Sequence, residues 1–233
     1  MRYTISMVML VVLMQGCTAH EPKRPVFRLG DFMSSRLKEL PYDSPPQVIY
    51  RIDEHRFVTL EHYRDCRHGD AYYNDTRADI RKYLGRGHFE NFQGRVINAD
   101  PLGMNIVLPL AYPPRAICGN GEKGCVVPFW YSTDGGRTFA TKIYADHSLN
   151  PFEDSKRYVF AVTRDSLFIS KKISETVSVF DTDRYPLIPD STGKRIEFDA
   201  KMPSNLRTPS GQDRITCDAS IKPTNPDAPL LPQ

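Results

Sequence analysis

No apolar run in this 233-residue chain approaches membrane-spanning length, since the apolar lead segment Ile5–Met14 covers only ten residues. Nor does one sign of charge dominate. Thirty-one Lys and Arg stand against 28 Asp and Glu. The basic residues are scattered rather than striped, so nucleic-acid binding has no support. There is no Gly-x-Ser-x-Gly elbow, no His-Glu-x-x-His and no Gly-x-x-x-x-Gly-Lys-Ser/Thr. The common signatures of serine hydrolases, zinc proteases and P-loop NTPases are therefore missing. No cysteine pair has the CxxC spacing of a redox site or a zinc ribbon. The segments do not copy one another closely enough to make a repeat array. From these gaps we expect a non-enzyme with no metal and no cofactor.

What is present begins at the N-terminus. Arg2 supplies positive charge, Ile5–Met14 an apolar stretch, and Gln15-Gly16 lead into Cys17. This is the layout of a removable signal segment, 1–16. Met14-Gln15-Gly16-Cys17 resembles a lipobox, although Met and Gln stand where that pattern prefers Leu and a small residue. The resemblance implies lipidation of Cys17, with palmitate among the acyl chains. Thr18 follows the cysteine rather than Asp, and the same resemblance then implies the outer membrane, facing the periplasm. Residues 17–46 read as a lipidated tether rich in charge and proline, with one short helix over Asp31–Leu40. Such a tether reaches roughly 30 Å.

Four cysteines remain, an even set suited to an oxidising compartment. Four cysteines allow three pairings. The glycine-rich loop 119–124 bends easily, which favours Cys118–Cys125 and leaves Cys66–Cys217 by elimination.

From Gln47 the hydrophobic period becomes two. Val48, Tyr50 and Ile52 alternate, Asp53-Glu54-His55 turn, and Phe57–Leu60 return. Gly94–Ala99 and Met104–Leu110 flank the turn Asp100-Pro101-Leu102-Gly103. Cys125–Tyr131 pairs by pattern with Ala140–Tyr144, and Tyr158–Val162 with Leu167–Ser170. Val177–Phe180 and Ile196–Phe198 read as further strands, while Thr76–Leu84 fits a helix turn or a strand equally. Successive hairpins without helical patterns predict an all-β domain over 47–221, built of antiparallel hairpins as an irregular propeller or a sandwich. Residues 222–233, rich in proline, read as a disordered tail.

Ser132-Thr133-Asp134-Gly135-Gly136-Arg137-Thr138-Phe139 resembles the Asp-box of sialidase-type propellers. In physical terms it is a hairpin turn. Asp134 accepts loop N–H groups, Gly135 and Gly136 permit positive φ, and Phe139 anchors the loop on the core. Ser132 and Thr138 complete the pattern. A single box without an arginine triad is weak evidence for sialidase chemistry, and a glycan-binding or glycan-cleaving envelope lipoprotein is the alternative reading. His62, Asp65, His68 and Asp70 lie close together, but their spacing matches no metal motif, and exposed loop polarity is the expectation.

The stretch from Gln47-Val48-Ile49-Tyr50-Arg51-Ile52 through Cys66-Arg67-His68-Gly69, Tyr72-Tyr73-Asn74-Asp75-Thr76 and Gly94-Arg95-Val96-Ile97-Asn98-Ala99 to the Asp-box is similar to the Tli immunity lipoproteins. These protect bacteria from type VI secretion phospholipase effectors. The resemblance covers about Gln47 to Pro186. It implies a secreted lipase effector as protein partner, contact with the membrane only through the lipid anchor, and inhibition by occlusion.

Overall fold

In the computed structural model eleven strands arise among the described residues where the sequence alternates or packs β-branched and aromatic residues, and they form three sheets. The structure describes residues 40–228 except 117, 119–122, 175, 177–178 and 188–195. The signal segment 1–16, Cys17, the tether to residue 39 and its expected helix therefore lie outside the described residues, as do 229–233.

The first sheet is a meander of β1 (Gln47–Arg51), β2 (Arg56–Asp65), β3 (His68–Asp75) and β4 (Ile80–Arg86). Thr76–Leu84 thus resolves into a turn and strand β4. The second sheet runs in the order β11 (Phe180–Pro186), β10 (Ser166–Lys172), β9 (Tyr158–Val162), β5 (Arg95–Asn98). The third holds β6 (Ile106–Pro109), β7 (Cys125–Ser132) and β8 (Ala140–Ser148). A five-residue helix, α1 (Pro151–Ser155), starts on an Asn150 side chain that accepts the Glu153 N–H. The fold is all-β and sandwich-like, with no closed barrel among the described residues. The shared core includes Tyr50, Tyr63, Tyr73, Phe89, Phe92, Phe129 and Phe160.

Two expected elements are different in the structure. Gly94–Ala99 and Met104–Leu110 are not a hairpin. The turn between them forms, with Gly103 N–H donating to Asp100 O at 3.0 Å. Side chains then occupy the backbone groups that a ladder needs. Val107 N–H donates to Asn98 Oδ1 (2.7 Å), Asn98 Nδ2 donates to Val107 O (3.1 Å), and Asn105 N–H donates to Asp100 Oδ2 (2.8 Å). β5 instead lies parallel to β9, and β6 pairs with β7. Ile196–Phe198 is likewise no strand and contributes one bridge, Arg184 to Glu197. Of the expected strand Val177–Phe180, residues 177 and 178 are outside the described set, and Phe180 opens β11.

Asn98 also organises a buried polar node. Its Nδ2 donates to the Tyr50 hydroxyl (3.0 Å), and its backbone N–H donates to Thr208 Oγ1 (3.2 Å). The Tyr50 hydroxyl donates to Val96 O at 3.0 Å. One cluster therefore joins β1, β5, β6 and the C-terminal segment, which come from all three sheets. Burial pushes the Tyr50 phenol up to about 12, against the opposing hydrogen bonds from Thr208 and Asn98.

The C-terminal segment acts as an edge strip. Ser210 N–H donates to Ile52 O (2.9 Å) and Thr216 N–H to Ile49 O (2.8 Å), which covers β1. Val96 N–H donates to Asp213 O (2.8 Å), which covers β5. Packing also extends past the bounds 47–221. Leu40, Tyr42 and Ser44 are buried, Thr224 N–H donates to Asp43 Oδ1 (2.7 Å), and Asn225 Nδ2 donates to Pro41 O (2.8 Å). The prolines of these stretches lack N–H donors, so their order comes from side-chain bonds that no periodicity announces.

Cys66, in the β2–β3 turn, is bonded to Cys217, and Cys118 to Cys125. The first closes a separation of 151 residues and the second one of 7. In the chain-entropy account the long loop contributes about 5 kcal/mol and the short one about 2 kcal/mol. Urea unfolding should accordingly show a larger loss for Cys66→Ala/Cys217→Ala than for Cys118→Ala/Cys125→Ala. Equal losses would refute that ordering.

Candidate partner-binding surface

The Asp-box residues close the β7–β8 hairpin on itself. Ser132 Oγ donates to Asp134 Oδ1 (2.8 Å) and accepts Gly136 N–H (2.8 Å). Thr138 gives its N–H to Asp134 Oδ1 (2.9 Å) and its hydroxyl to Asp134 Oδ2 (2.6 Å). Burial is the largest single influence and raises the Asp134 carboxyl, but the hydrogen bonds from Thr138, Ser132 and Arg137 together outweigh it and hold it at about 2. Gly136 sits at φ +85°, and a Cβ there would fall 2.2 Å from the Tyr73 ring. Phe139 stands edge-on to Tyr73 at 5.5 Å. The Asp134 carboxylate and the Ser132 and Thr138 hydroxyls are thus bonded within the turn, and Gly135 is bonded outside it to Met104 O and the Tyr73 hydroxyl, which suits a clamp on the core better than a sugar site.

The His/Asp group proves to be part of the β2–β3 hairpin rather than a loop. Asp70 is 1% exposed and accepts from Arg86 Nε (2.8 Å) and Tyr83 Oη (3.1 Å). His62 Nδ1 lies 3.9 Å from Asp70, whereas His68 Nδ1 lies 2.7 Å from Asp65. The two pairs do not converge. Among the described residues no three His, Cys, Asp or Glu side chains come together to hold a metal ion. The β3 run His68–Asp75 was hidden because it is buried on both faces from Gly69 to Tyr73 and does not alternate.

Sheet β1–β4 presents a polar, aromatic face. Glu61 accepts both Arg81 Nη1 (2.8 Å) and Nη2 (3.0 Å), and the same guanidinium lies 3.8 Å from the Tyr72 ring centroid. Tyr72 and Tyr83 are 5.3 Å apart. The Arg81 side chain keeps 47% of its exposure while being held from two sides. A fork fixed this way reaches a partner with little rotamer entropy left to lose, and Arg and Tyr dominate binding hot spots. Sequence reading missed Glu61, Arg81 and Tyr72, although their cross-strand placement follows once β3 and β4 are in register.

The sequence model of the T6SS Tli3 immunity proteins matches residues 42–171, more than half of the chain. The chain belongs to the Tli3 immunity family. The match starts at the buried Tyr42 and runs through the β1–β4 sheet and the Asp-box hairpin into β10. Tli3 proteins are type VI secretion immunity proteins and not enzymes, and the family implies a protein partner, the effector. No curated protein matches the chain.

Beneath the β3–β4 end lies a buried acid. Glu90 is 4% exposed, and one oxygen accepts His88 N–H at 3.1 Å. Desolvation lifts its carboxyl to about 8, against backbone bonds at Glu90, His88, Gly69 and Gly87. The folded state holds the proton that the unfolded chain releases near pH 4, so stability present below that pH is lost as pH rises toward 8. Glu90→Gln should therefore raise the melting temperature more at pH 8 than at pH 4, and an equal change at both would refute the assignment. Asp134 has the opposite sign. Its folded value lies below the unfolded one, so its stabilisation holds above pH 4 and fades between pH 4 and 2. Asp134→Asn should flatten acid melting over that window relative to the unchanged chain.

Proposed function

We propose that this Tli3-family protein binds a type VI secretion phospholipase effector and neutralises it by covering its access to lipid, from an anchor in the cell envelope. The family match carries the reading. Two features of the fold support it. A β scaffold tied by a 151-residue disulfide span gives a surface that loses little entropy on association. That surface offers an Arg81 braced by Glu61 and the Tyr72 ring rather than an acid–base pair or nucleophile. Lipidation of Cys17 and a periplasm-facing outer-membrane location belong to the same proposal. A tethered blocker sits at raised effective concentration beside the bilayer that a lipase attacks.

The test is to read the genes beside its own for a lipase and to co-express that lipase with the chain in the periplasm. Cells should survive with the full chain present and lyse without it. Death at the same rate in both would overturn the proposal. Cys17→Ser should leave binding of the purified proteins unchanged and reduce protection in cells. Undiminished protection would remove the anchor from the proposal.

A further inference from the structure

The free edges of the three sheets are treated unequally. The C-terminal strip covers β1 and β5, and residues 197–200 cover β11 through Arg184 N–H to Glu197 O and Ala200 N–H to Thr182 O, both 2.8 Å. The Asn98 amide occupies the outer groups of Val107 on β6. On β4, Arg81 and Lys82 are exposed, and Gly85 at φ +105° kinks the strand beside a register shift. Charge and kinks of this kind discourage pairing. Over Ala140–Ile143 β8 has no kink, and Lys142 is its single charge. All four residues are exposed, and their register with β7 is unbroken.

The direction of the β8 backbone follows from Pro128. Leu110 N–H donates to Pro128 O at 3.2 Å, so the backbone of Pro128 faces β6. Pro128 has no N–H to return, and the Leu110 carbonyl instead accepts the Tyr144 hydroxyl at 2.6 Å. In an antiparallel ladder a residue facing one neighbour turns away from the other. Pro128 is paired with Ile143 and Trp130 with Thr141. The N–H and C=O groups of Ile143 and Thr141 therefore point outward, away from β7. Among the described residues no backbone hydrogen bond beyond the β7 ladder involves Ala140–Ile143.

Lys142 does not guard this edge. Its ammonium is turned over the Tyr131 and Tyr185 rings, 5.7 and 5.1 Å from their centroids. On the opposite face Ile143 is 58% exposed and lies across from Pro128, next to Trp130. A bulge between Val127 and Pro128 and the left-handed His147 (φ +58°) end the usable stretch.

The geometry points to β8 as a docking strand, on which an extended segment of the effector adds to the β6–β7–β8 sheet through the outward groups of Thr141 and Ile143. The inference rests on the immunity reading and names the element that carries it. The incoming strand places an apolar side chain beside Ile143 on one face and an acidic one toward Lys142 on the other. Main-chain bonds supply affinity in such additions, and the alternating side chains supply selectivity.

Hydrogen exchange of the full chain, alone and with the phospholipase effector identified by the co-expression test and made inactive by substitution of its catalytic serine, tests this. The amides of Thr141 and Ile143 should exchange fast in the free protein and at least 100-fold slower in the complex. A complex in which both amides stay fast overturns the inference and leaves the immunity reading intact. Thr141→Pro and Ile143→Pro remove N–H groups that β7 does not use. Each should keep the fold and weaken binding at least 100-fold, and a folded proline variant that binds like the parent chain also overturns the inference. If a proline variant does not fold, the exchange measurement on the parent chain decides. Sedimentation of the chain alone should show a monomer. A dimer broken by Thr141→Pro would assign the edge to a second copy and overturn the effector assignment. Absence of any complex with the lipase would overturn the immunity reading itself, and the docking strand with it.

Discussion

The Asn98 node holds the three sheets in one fold. Its amide imitates a strand for Val107, and its backbone and side chain fix Thr208 and Tyr50. A buried amide or phenol without partners costs about 1–3 kcal/mol, so each member is stable only while the others are in place. Because the node satisfies Val107 with a side chain, β5 and β6 leave the same turn in different sheets. That divergence sends β5 beside β9 and leaves β6 free to start the β6–β7–β8 sheet, with β8 as its outer strand.

Much of the architecture was legible in the sequence wherever one face of a strand is buried. The β1–β2, β7–β8 and β9–β10 hairpins all show alternation around a turn with Asp or Gly, and all three occur. The pattern failed where side chains replace backbone partners. Asn98 read as a strand residue and Asp100 as an ordinary turn residue, yet they divert two strands. It failed again at β3, which is buried on both faces and lacks a period. The C-terminal segment was illegible for a third reason. Its order depends on Gln212, Thr216 and Asp218 meeting β1 more than 160 residues away. Only long-range contact reveals that, and no local pattern encodes it.

The functional surface was less legible than the fold. Family membership came from the run of motifs between Gln47 and the Asp-box, whereas the residues that face a partner did not announce themselves. Arg81 is unremarkable in sequence and acquires its fixed geometry from Glu61 and Tyr72 on two other strands. The Asp-box stood out and proved to be internal bracing. It positions β8 by pinning the hairpin tip to Tyr73 on β3. A conspicuous motif thus serves the scaffold, and an inconspicuous strand beside it keeps its backbone groups open.

The strip that covers β1 and β5 comes from the last part of the chain, and Cys217 within it is bonded to Cys66. Synthesis proceeds from the other end. The first sheet therefore waits for a segment about 150 residues later in the chain before its outer strand is closed and its covalent tie can form. In that interval β1 is an open template for mispairing. A nascent chain of this design matures late and all at once, and its earliest-made part is the last to be sealed.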